Sequence, residues 1–371
     1  MHSQAGHGSR GPAMRPEFLK DGSAMNMRLL LAVSALALAG AGTIVVAQNG
    51  APASAGEVNV YSGRHYPSDQ AIYDTFTAET GIKVNILEGK TDEILQRIEM
   101  EGAGSPADVF ITADAGNLWR AQSKGLLQAV ESEVLAARIP ETLREPGNHW
   151  FGLTTRVRVI MVAKRATDLD FVDSYADLAD ARLKGRLCMR SGSNIYNLSL
   201  TGALIARWGE EKAGEWAAGI VANLAQTPTG GDTDQLKAVA AGICDVTISN
   251  TYYLARLAGS ENADDKAVAE AVRIVYPDQD GEGAHVNISG AGVAAHAPNR
   301  DAAVRLIEYL VSDAAQSAFA NGNNEYPVVP GNLANPVLEG FGTFKADPLP
   351  VAAFGANQAL AQAIMDRAGW K

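Results

Sequence analysis

Tyrosine side chains, with one histidine, follow three predicted β-strands of this sequence in short polar turns. The strands are predicted at residues 58–61, 186–189 and 245–249, and the side chains that follow them are His65 and Tyr66, Tyr196, and the pair Tyr252 and Tyr253. Phenolate is a hard anionic ligand and imidazole a borderline one, so this set suits a hard, highly charged ion such as ferric iron. A free tyrosine has a pKa of about 10, so binding should release protons and weaken as pH falls.

Each tyrosine alone has a simpler explanation, because a tyrosine at a strand end is often a half-buried packing residue. The consecutive pair Tyr252 and Tyr253 argues for ligation, since neighbouring side chains on a helix diverge in direction. A polyamine or an anion is the alternative ligand. A polyamine site would need carboxylates with aromatic walls, and an anion site would need groups such as those of residues 191–194. Neither alternative accounts for four converging tyrosines.

The elements that must position these side chains alternate between strand and helix after residue 57, which predicts an α/β fold with a parallel-rich sheet. The pattern indicates two α/β lobes joined by extended hinge strands. Residues 57–153 and 289–371 are expected to form the first lobe, and residues 154–288 the second. Ligands in open α/β sheets bind outside the carboxyl ends of the strands, where these tyrosines lie. Long helical regions are predicted at residues 198–224, 302–319 and 351–368.

The composition argues against several classes of function. The chain has 371 residues and a formal net charge of −11, which disfavours nucleic acid or an anionic membrane surface as a partner. It contains no G-x-S-x-G, H-E-x-x-H or P-loop motif. Asp108, Asp114 and Asp232 could act as acids or bases, but each is expected in a helix cap or turn. An enzyme is therefore not expected.

The N-terminus predicts export. Residues 1–24 have no hydrophobic period and are interpreted as a leader or non-native segment, while residues 25–55 have the features of a signal peptide. A short basic start is followed by the apolar run at residues 29–40, which is too short for a permanent membrane helix. Cleavage is expected after Ala47 or Ala55, with an uncleaved anchor as the alternative. The mature protein is therefore predicted to be periplasmic.

Cys188 and Cys244 are the two cysteines of the chain. In an oxidising compartment a disulfide between them is expected, with two buried free thiols as the alternative. Each cysteine precedes a candidate ligand, Tyr196 or Tyr252, by eight residues. A disulfide would place the two strands side by side, and both tyrosine loops would open at the same edge.

Three strings of residues resemble the motifs of periplasmic ferric-iron-binding proteins of bacterial ABC transporters. They are Tyr-Ser-Gly-Arg-His-Tyr at residues 61–66, Ser-Gly-Ser-Asn-Ile-Tyr-Asn at residues 191–197 and Asn-Thr-Tyr-Tyr-Leu at residues 250–254. The resemblance covers nearly all of the chain after residue 57 and points to the subgroup typified by cyanobacterial iron-binding proteins. It implies a periplasmic-binding-protein type II fold. It also implies a protein that captures ferric iron and delivers it to an ABC permease in the inner membrane. A monomer is expected.

The resemblance also implies a ligand set. Iron would be bound by Tyr196, Tyr252 and Tyr253 from one lobe and by Tyr66 from the other. His65 either binds the metal or is a hydrogen-bonding loop residue, and a synergistic anion or water would fill the remaining positions.

Arg156 falls where similar proteins place an arginine near the metal. Four phenolates around a trivalent ion leave one negative charge, which a buried arginine would compensate. The alternatives are that Arg156 is a surface strand residue, or that Arg158, on the same face of the strand, takes this role. Arg64 is a further candidate for contact with an anion.

Overall fold

The computed structural model describes residues 56–64, 66–331 and 335–371. The predicted leader and signal peptide (residues 1–55) lie outside these ranges, and so does His65. Within the three described ranges, no helix is both long enough and apolar enough to cross a membrane.

The strands of the described residues form one hydrogen-bonded sheet with the main order β2, β1, β3, β9, β5, β7, β6. The strands are β1 Glu57–Ser62, β2 Lys83–Glu88, β3 Val109–Ala113, β4 Leu127–Gln128, β5 Phe151–Ala163, β6 Leu187–Cys188, β7 Val246–Asn250, β8 Val272–Val275, β9 Val286–Ala294 and β10 Tyr326–Pro327. Strand β1 is parallel to β2 and β3, and β6 is parallel to β7. Strands β4, β8 and β10 pair at the sides, β4 with β9 and the other two with β5.

Two long antiparallel strands, β5 and β9, connect the two halves of this sheet. Every residue of both strands is buried. The first half of β5 pairs with β9, and its second half pairs with β7 and β8. Arg156 pairs with Asn287 of β9, two residues before Arg158 begins the pairing with β7. The two candidate arginines therefore lie where β5 passes from one half of the sheet to the other.

Helices cover the sheet throughout the described part of the chain. They are α1 Asp69–Thr80, α2 Thr91–Glu101, α3 Ala115–Ser123, α4 Glu133–Arg138, α5 Ile195–Trp208, α6 Glu210–Asn223, α7 Asp232–Ala240, α8 Thr251–Ala258, α9 Ala263–Ala271, α10 Arg300–Leu310, α11 Asp313–Asn323, α12 Pro336–Gly340, α13 Val351–Ala356 and α14 Gln358–Ala368. Helices α5 and α8 begin shortly after the parallel strands β6 and β7, so their N-terminal turns lie at the same edge of the sheet.

Each of the three long helical regions predicted from periodicity is two helices. Helix α5 ends at Gly209, whose φ of 84° lies in the left-handed region that favours glycine, and α6 starts directly after it. Ser312 separates α10 from α11 because its side chain accepts the N–H of Ala315 and caps α11. The last region is divided at Asn357, between α13 and α14.

The hydrophobic core is divided in the same way as the sheet. One cluster of buried side chains surrounds β5, β6 and β7, and two others lie on the two faces formed by β1, β3 and β9. Ile364 and Met365 of α14, followed by Trp370, pack into the cluster around β5, β6 and β7. The division of the chain into two lobes stays a prediction. Because α14 packs into the cluster around β5, β6 and β7, the end of the chain contacts the half of the sheet that residues 154–288 form.

A disulfide joins Cys188 at the end of β6 to Cys244, two residues before β7. These two strands are parallel neighbours, with Leu187 opposite Val246. Both cysteines are almost fully buried, so the bond lies in the protein interior.

Candidate metal centre

Three of the candidate ligands meet where α5 and α8 begin. Tyr196 and Tyr252 are each the second residue of their helix, and Asn194 caps α5 by accepting the N–H of Tyr196 at 3.1 Å. Tyr252 Oη donates a hydrogen bond to Tyr196 Oη at 3.3 Å. The ring of Tyr253 lies beside that of Tyr252, with centroids 4.4 Å apart. The consecutive tyrosines thus lie side by side.

Arg156 of β5 joins Tyr66 to this cluster. Its Nη2 donates to Tyr66 Oη at 2.8 Å. Its guanidinium carbon lies 5.4 Å from the ring centroid of Tyr196 and 5.0 Å from that of Tyr252. Arg156 is 2% exposed, so the alternative that it is a surface strand residue is wrong. The structure therefore brings three candidate tyrosines around one buried arginine, with Tyr253 packed against one of them, Tyr252.

A buried carboxylate, Glu325, holds this arrangement on the Tyr66 side. It accepts from Arg64 Nη1 at 2.6 Å and from Arg156 Nε at 2.9 Å, and Tyr66 Oη donates to it at 3.3 Å. Arg64 also pairs with Asp69 at 2.6 Å, and its guanidinium carbon lies 4.4 Å from the Tyr66 ring centroid. Arg64, expected to contact an anion, is thus paired with two carboxylates of the protein itself.

Arg158 contacts a different part of the cluster. Its Nη1 pairs with Asp232 at 2.8 Å, and its guanidinium carbon lies 5.7 Å from the Tyr196 ring centroid. Arg190, in the loop before α5, also pairs with Asp232 and lies 5.2 Å from that ring. Between the two candidates, Arg156 is the one that donates a hydrogen bond to a tyrosine oxygen.

The sequence reasoning missed Arg256 as well as Glu325. Arg256 lies on α8 four residues after Tyr252, and its guanidinium carbon is 4.9 Å from the Tyr66 ring centroid and 5.0 Å from that of Tyr252. This spacing places both side chains on one face of a helix, so helical periodicity could have identified Arg256. No comparable local signal marks Glu325, which lies 261 residues from its partner Arg64.

The surrounding charges shift the tyrosine pKa values in different directions. Burial raises the pKa of Tyr196, but the charge of Arg156 and the hydrogen bond from Tyr252 outweigh burial and lower it below its ordinary value. Burial raises the pKa of Tyr252 and Tyr66, and Arg156 opposes this rise in both. Burial also raises the pKa of Tyr253. A highly charged cation would counter these rises and convert phenols into phenolate ligands.

The candidate donors here are phenolic oxygens. Among the residues that the structure describes, no group of three or more His, Cys, Asp or Glu side chains is placed to hold a metal ion. The structure has two α/β halves connected by long strands, and polar side chains gather where the strands end. This arrangement is typical of the class of solute-binding proteins.

Comparison with known proteins agrees with this class. The family model for bacterial extracellular solute-binding proteins matches residues 71–349. The chain is 49% identical over 320 residues to iron uptake protein A1 of Synechocystis sp., covering 86% of this chain and 89% of that protein. It is 46% identical over 323 residues to iron uptake protein A2 of the same organism, covering 86% and 92%. A Trichodesmium protein solved in complex with iron and citrate is 51% identical, with a TM-score of 0.83, covering 85% of this chain and 100% of that one.

The chain belongs to the bacterial extracellular solute-binding protein family. The type II fold expected from the sequence is confirmed, and so is the resemblance to cyanobacterial iron-binding proteins.

Proposed function

We propose that this protein captures ferric iron through tyrosinate ligands and delivers it to an ABC permease. The observation that carries the proposal is the convergence of Tyr66, Tyr196 and Tyr252 on buried Arg156, with Tyr253 beside Tyr252. The names of the relatives, which are iron uptake proteins, support it, and so does the iron-and-citrate complex of the Trichodesmium protein. The proposed ligands are Tyr66, Tyr196, Tyr252 and Tyr253, with His65 as a further candidate.

In the proposed mechanism, residues 57–153 with the chain from residue 289 form one lobe and residues 154–288 the other, with α14 packing on the second lobe. Iron binds the tyrosines of α5 and α8, and closure of the hinge adds Tyr66. Iron favours closure because the closed form offers it more ligands. A synergistic anion or water fills the remaining positions. Arg156 compensates the negative charge of four phenolates around a trivalent ion.

The proposed setting is the periplasm, reached with the signal peptide at residues 25–55, and the proposed state is a monomer. The extracellular solute-binding family supports export. The proposed role is reversible capture rather than catalysis, and the iron uptake function of the relatives agrees with it. The closed, loaded form is the one that the permease would recognise.

A visible absorption titration tests the proposal. Purified mature protein is titrated with ferric citrate and then reduced with dithionite. We expect a broad visible band from tyrosinate-to-iron charge transfer that saturates at about one iron per chain and bleaches on reduction, since ferrous iron holds phenolate more weakly. Tyr252→Phe and Tyr253→Phe should each lose most of the band and of the affinity while the protein stays folded.

Tyr309→Phe is the matched control. Tyr309 is a partly buried tyrosine that packs on Phe76, with ring centroids 5.3 Å apart, away from the metal centre. It should keep the band and the iron affinity of the wild type. Tight iron binding in both Tyr252→Phe and Tyr253→Phe would refute the ligand assignment. A wild-type protein without a band and without iron would point to another small solute, such as a polyamine or an anion.

A further inference from the structure

Asp232, expected in a helix cap or turn, is a fully buried carboxylate whose side chain does not cap α7. It is the first residue of α7, but the carboxylate that accepts the N–H of Gly231 before this helix belongs to Asp234, at 2.7 Å. The oxygens of Asp232 instead accept hydrogen bonds from other segments of the chain.

Three segments donate to this one carboxylate. Arg158 of β5 donates from Nη1 to Oδ2 of Asp232 at 2.8 Å, and the backbone N–H of Asn250 donates to the same oxygen at 3.0 Å. Arg190 donates from Nη1 to Oδ1 at 3.1 Å. Asn250 directly precedes α8, and Arg190 lies in the loop before α5. A single carboxylate is therefore shared by the segments that lead into both tyrosine-bearing helices.

The network continues from these donors to the tyrosines. Arg158 Nη2 donates to Oδ1 of Asn197, the residue directly after Tyr196, at 2.9 Å. Asn250 Nδ2 donates to Tyr252 Oη at 3.3 Å. One chain of hydrogen bonds therefore runs from the start of α5, through Arg158 and the carboxylate, to the start of α8.

Four members of this network are removed from water. Asp232 is 0% exposed, Asn197 1%, Arg158 2% and Asn250 3%. A buried network holds a defined geometry, because leaving any of its polar groups without a partner costs free energy. Loss of the carboxylate would leave the Arg158 charge buried without its counter-ion.

We propose that Asp232 is a positioning residue for the metal centre, which holds the first turns of α5 and α8 so that Tyr196 and Tyr252 meet. This inference rests on the proposed function, because it identifies what pre-organises the tyrosine ligands. Groups that orient metal ligands from outside change metal affinity by about 10- to 100-fold when they are lost.

Asp232→Asn in the full chain tests this role, with ferric citrate as the iron source. The variant should bind iron about 10- to 100-fold more weakly than the wild type, and its visible band should shift or broaden. Asp108→Asn is the matched control, since Asp108 is also 0% exposed and accepts the backbone N–H groups of Asn59 at 2.7 Å and Asn299 at 2.6 Å. The control should lower stability but leave the band and the iron affinity unchanged.

Amide hydrogen exchange of the metal-free proteins separates this inference from the proposed function. Peptides that cover residues 195–198 and 251–254 should exchange faster in Asp232→Asn than in the wild type, and Asp108→Asn should leave both unchanged. Unchanged exchange in both peptides of Asp232→Asn would overturn the positioning role, and so would wild-type iron affinity and band. If the wild type shows no band, the proposed function fails, and the exchange result alone decides the positioning role.

Arg190→Gln provides the second variant if Asp232→Asn does not fold. The Arg190 side chain is 17% exposed, so its loss disturbs the core less, and it removes the contact with Oδ1 of Asp232. We expect faster exchange at residues 195–198 and a weaker loss of iron affinity than the loss expected for Asp232→Asn. Wild-type exchange and affinity in Arg190→Gln would overturn the proposal.

Discussion

Replacing Glu325 with glutamine removes the charge that pairs two buried arginines at the candidate metal centre. The carboxylate accepts from Arg64 Nη1 and Thr154 Oγ1, both at 2.6 Å, and from Arg156 Nε at 2.9 Å. Glutamine keeps the shape of the side chain but offers one oxygen acceptor in place of two, and no charge. Arg64 and Arg156 would then stay buried with less compensation, so Glu325→Gln should destabilise the protein.

The size of this effect follows from the pKa of Glu325. Burial raises this pKa, but Arg64 and Arg156 outweigh burial and hold it at about 2, against 4.5 for an unperturbed glutamate. This difference corresponds to about 3 kcal/mol, at about 1.4 kcal/mol per pH unit. Loss of one partner of a buried ion pair costs a similar amount, about 3–5 kcal/mol. Because the folded-state pKa is depressed, the stabilisation is fully present above about pH 4.5 and is lost as pH falls through about 2.

Urea unfolding of the metal-free wild type and Glu325→Gln at pH 7 measures this difference, which we expect to be about 3 kcal/mol. Glu99→Gln is the matched control. Glu99 forms an exposed pair with Lys124, and its loss should change the unfolding free energy by at most about 1 kcal/mol. A loss of stability no larger than that of the control would refute the reasoning.

Two further perturbations test the surroundings of the site. Burial lowers the pKa of His285 to about 4, from 6.5, although Asp347 opposes this. A depressed folded-state pKa gives stability that is complete above about pH 6.5 and falls as pH drops toward 4, so His285→Leu should remove about 2 kcal/mol of the wild-type change between pH 7 and pH 5. Urea unfolding at pH 7 and at pH 5 measures this change in the free energy of unfolding. The control His296→Gln, at an exposed position, should keep the wild-type change. An unaltered pH dependence in His285→Leu would contradict the prediction. The double variant Cys188→Ser/Cys244→Ser opens a loop of 56 residues, and its free energy of unfolding in the same assay should be lower by about 4 kcal/mol. A loss under about 1 kcal/mol would contradict the loop-closure argument.

The sequence was sufficient for the features that depend on local patterns. Tyr196 and Tyr252 could be identified because each follows a strand and a polar turn, and the alternation of strands and helices gave the α/β fold. Periodicity alone did not reveal the helix breaks at Gly209 and Ser312, because the apolar stripe continues across both. Glycine and serine nevertheless marked these positions.

The charged groups could not be paired from the sequence, because their partners are far apart along the chain. Arg64 and Glu325 are separated by 261 residues, and Arg158 and Asp232 by 74. The expectation of a helix cap or turn at Asp232 does not reveal its role, because Asp232 does begin a helix and local pattern cannot distinguish it from Asp234. Only the packing of β5 against β7 and α7 brings Arg158 to its carboxylate.

The charges described at the site link iron capture to proton release. The positive groups are Arg64, Arg156, Arg158, Arg190 and Arg256, and the negative ones are Asp69, Asp232 and Glu325. With neutral phenols these groups leave two positive charges in excess, which opposes the entry of a trivalent cation. Four phenolates around a ferric ion carry one net negative charge. The positive excess of the site therefore stabilises this complex once the phenols have lost their protons. The arginines therefore oppose the bare ion and stabilise the tyrosinate complex, and iron should dissociate on acidification or on reduction.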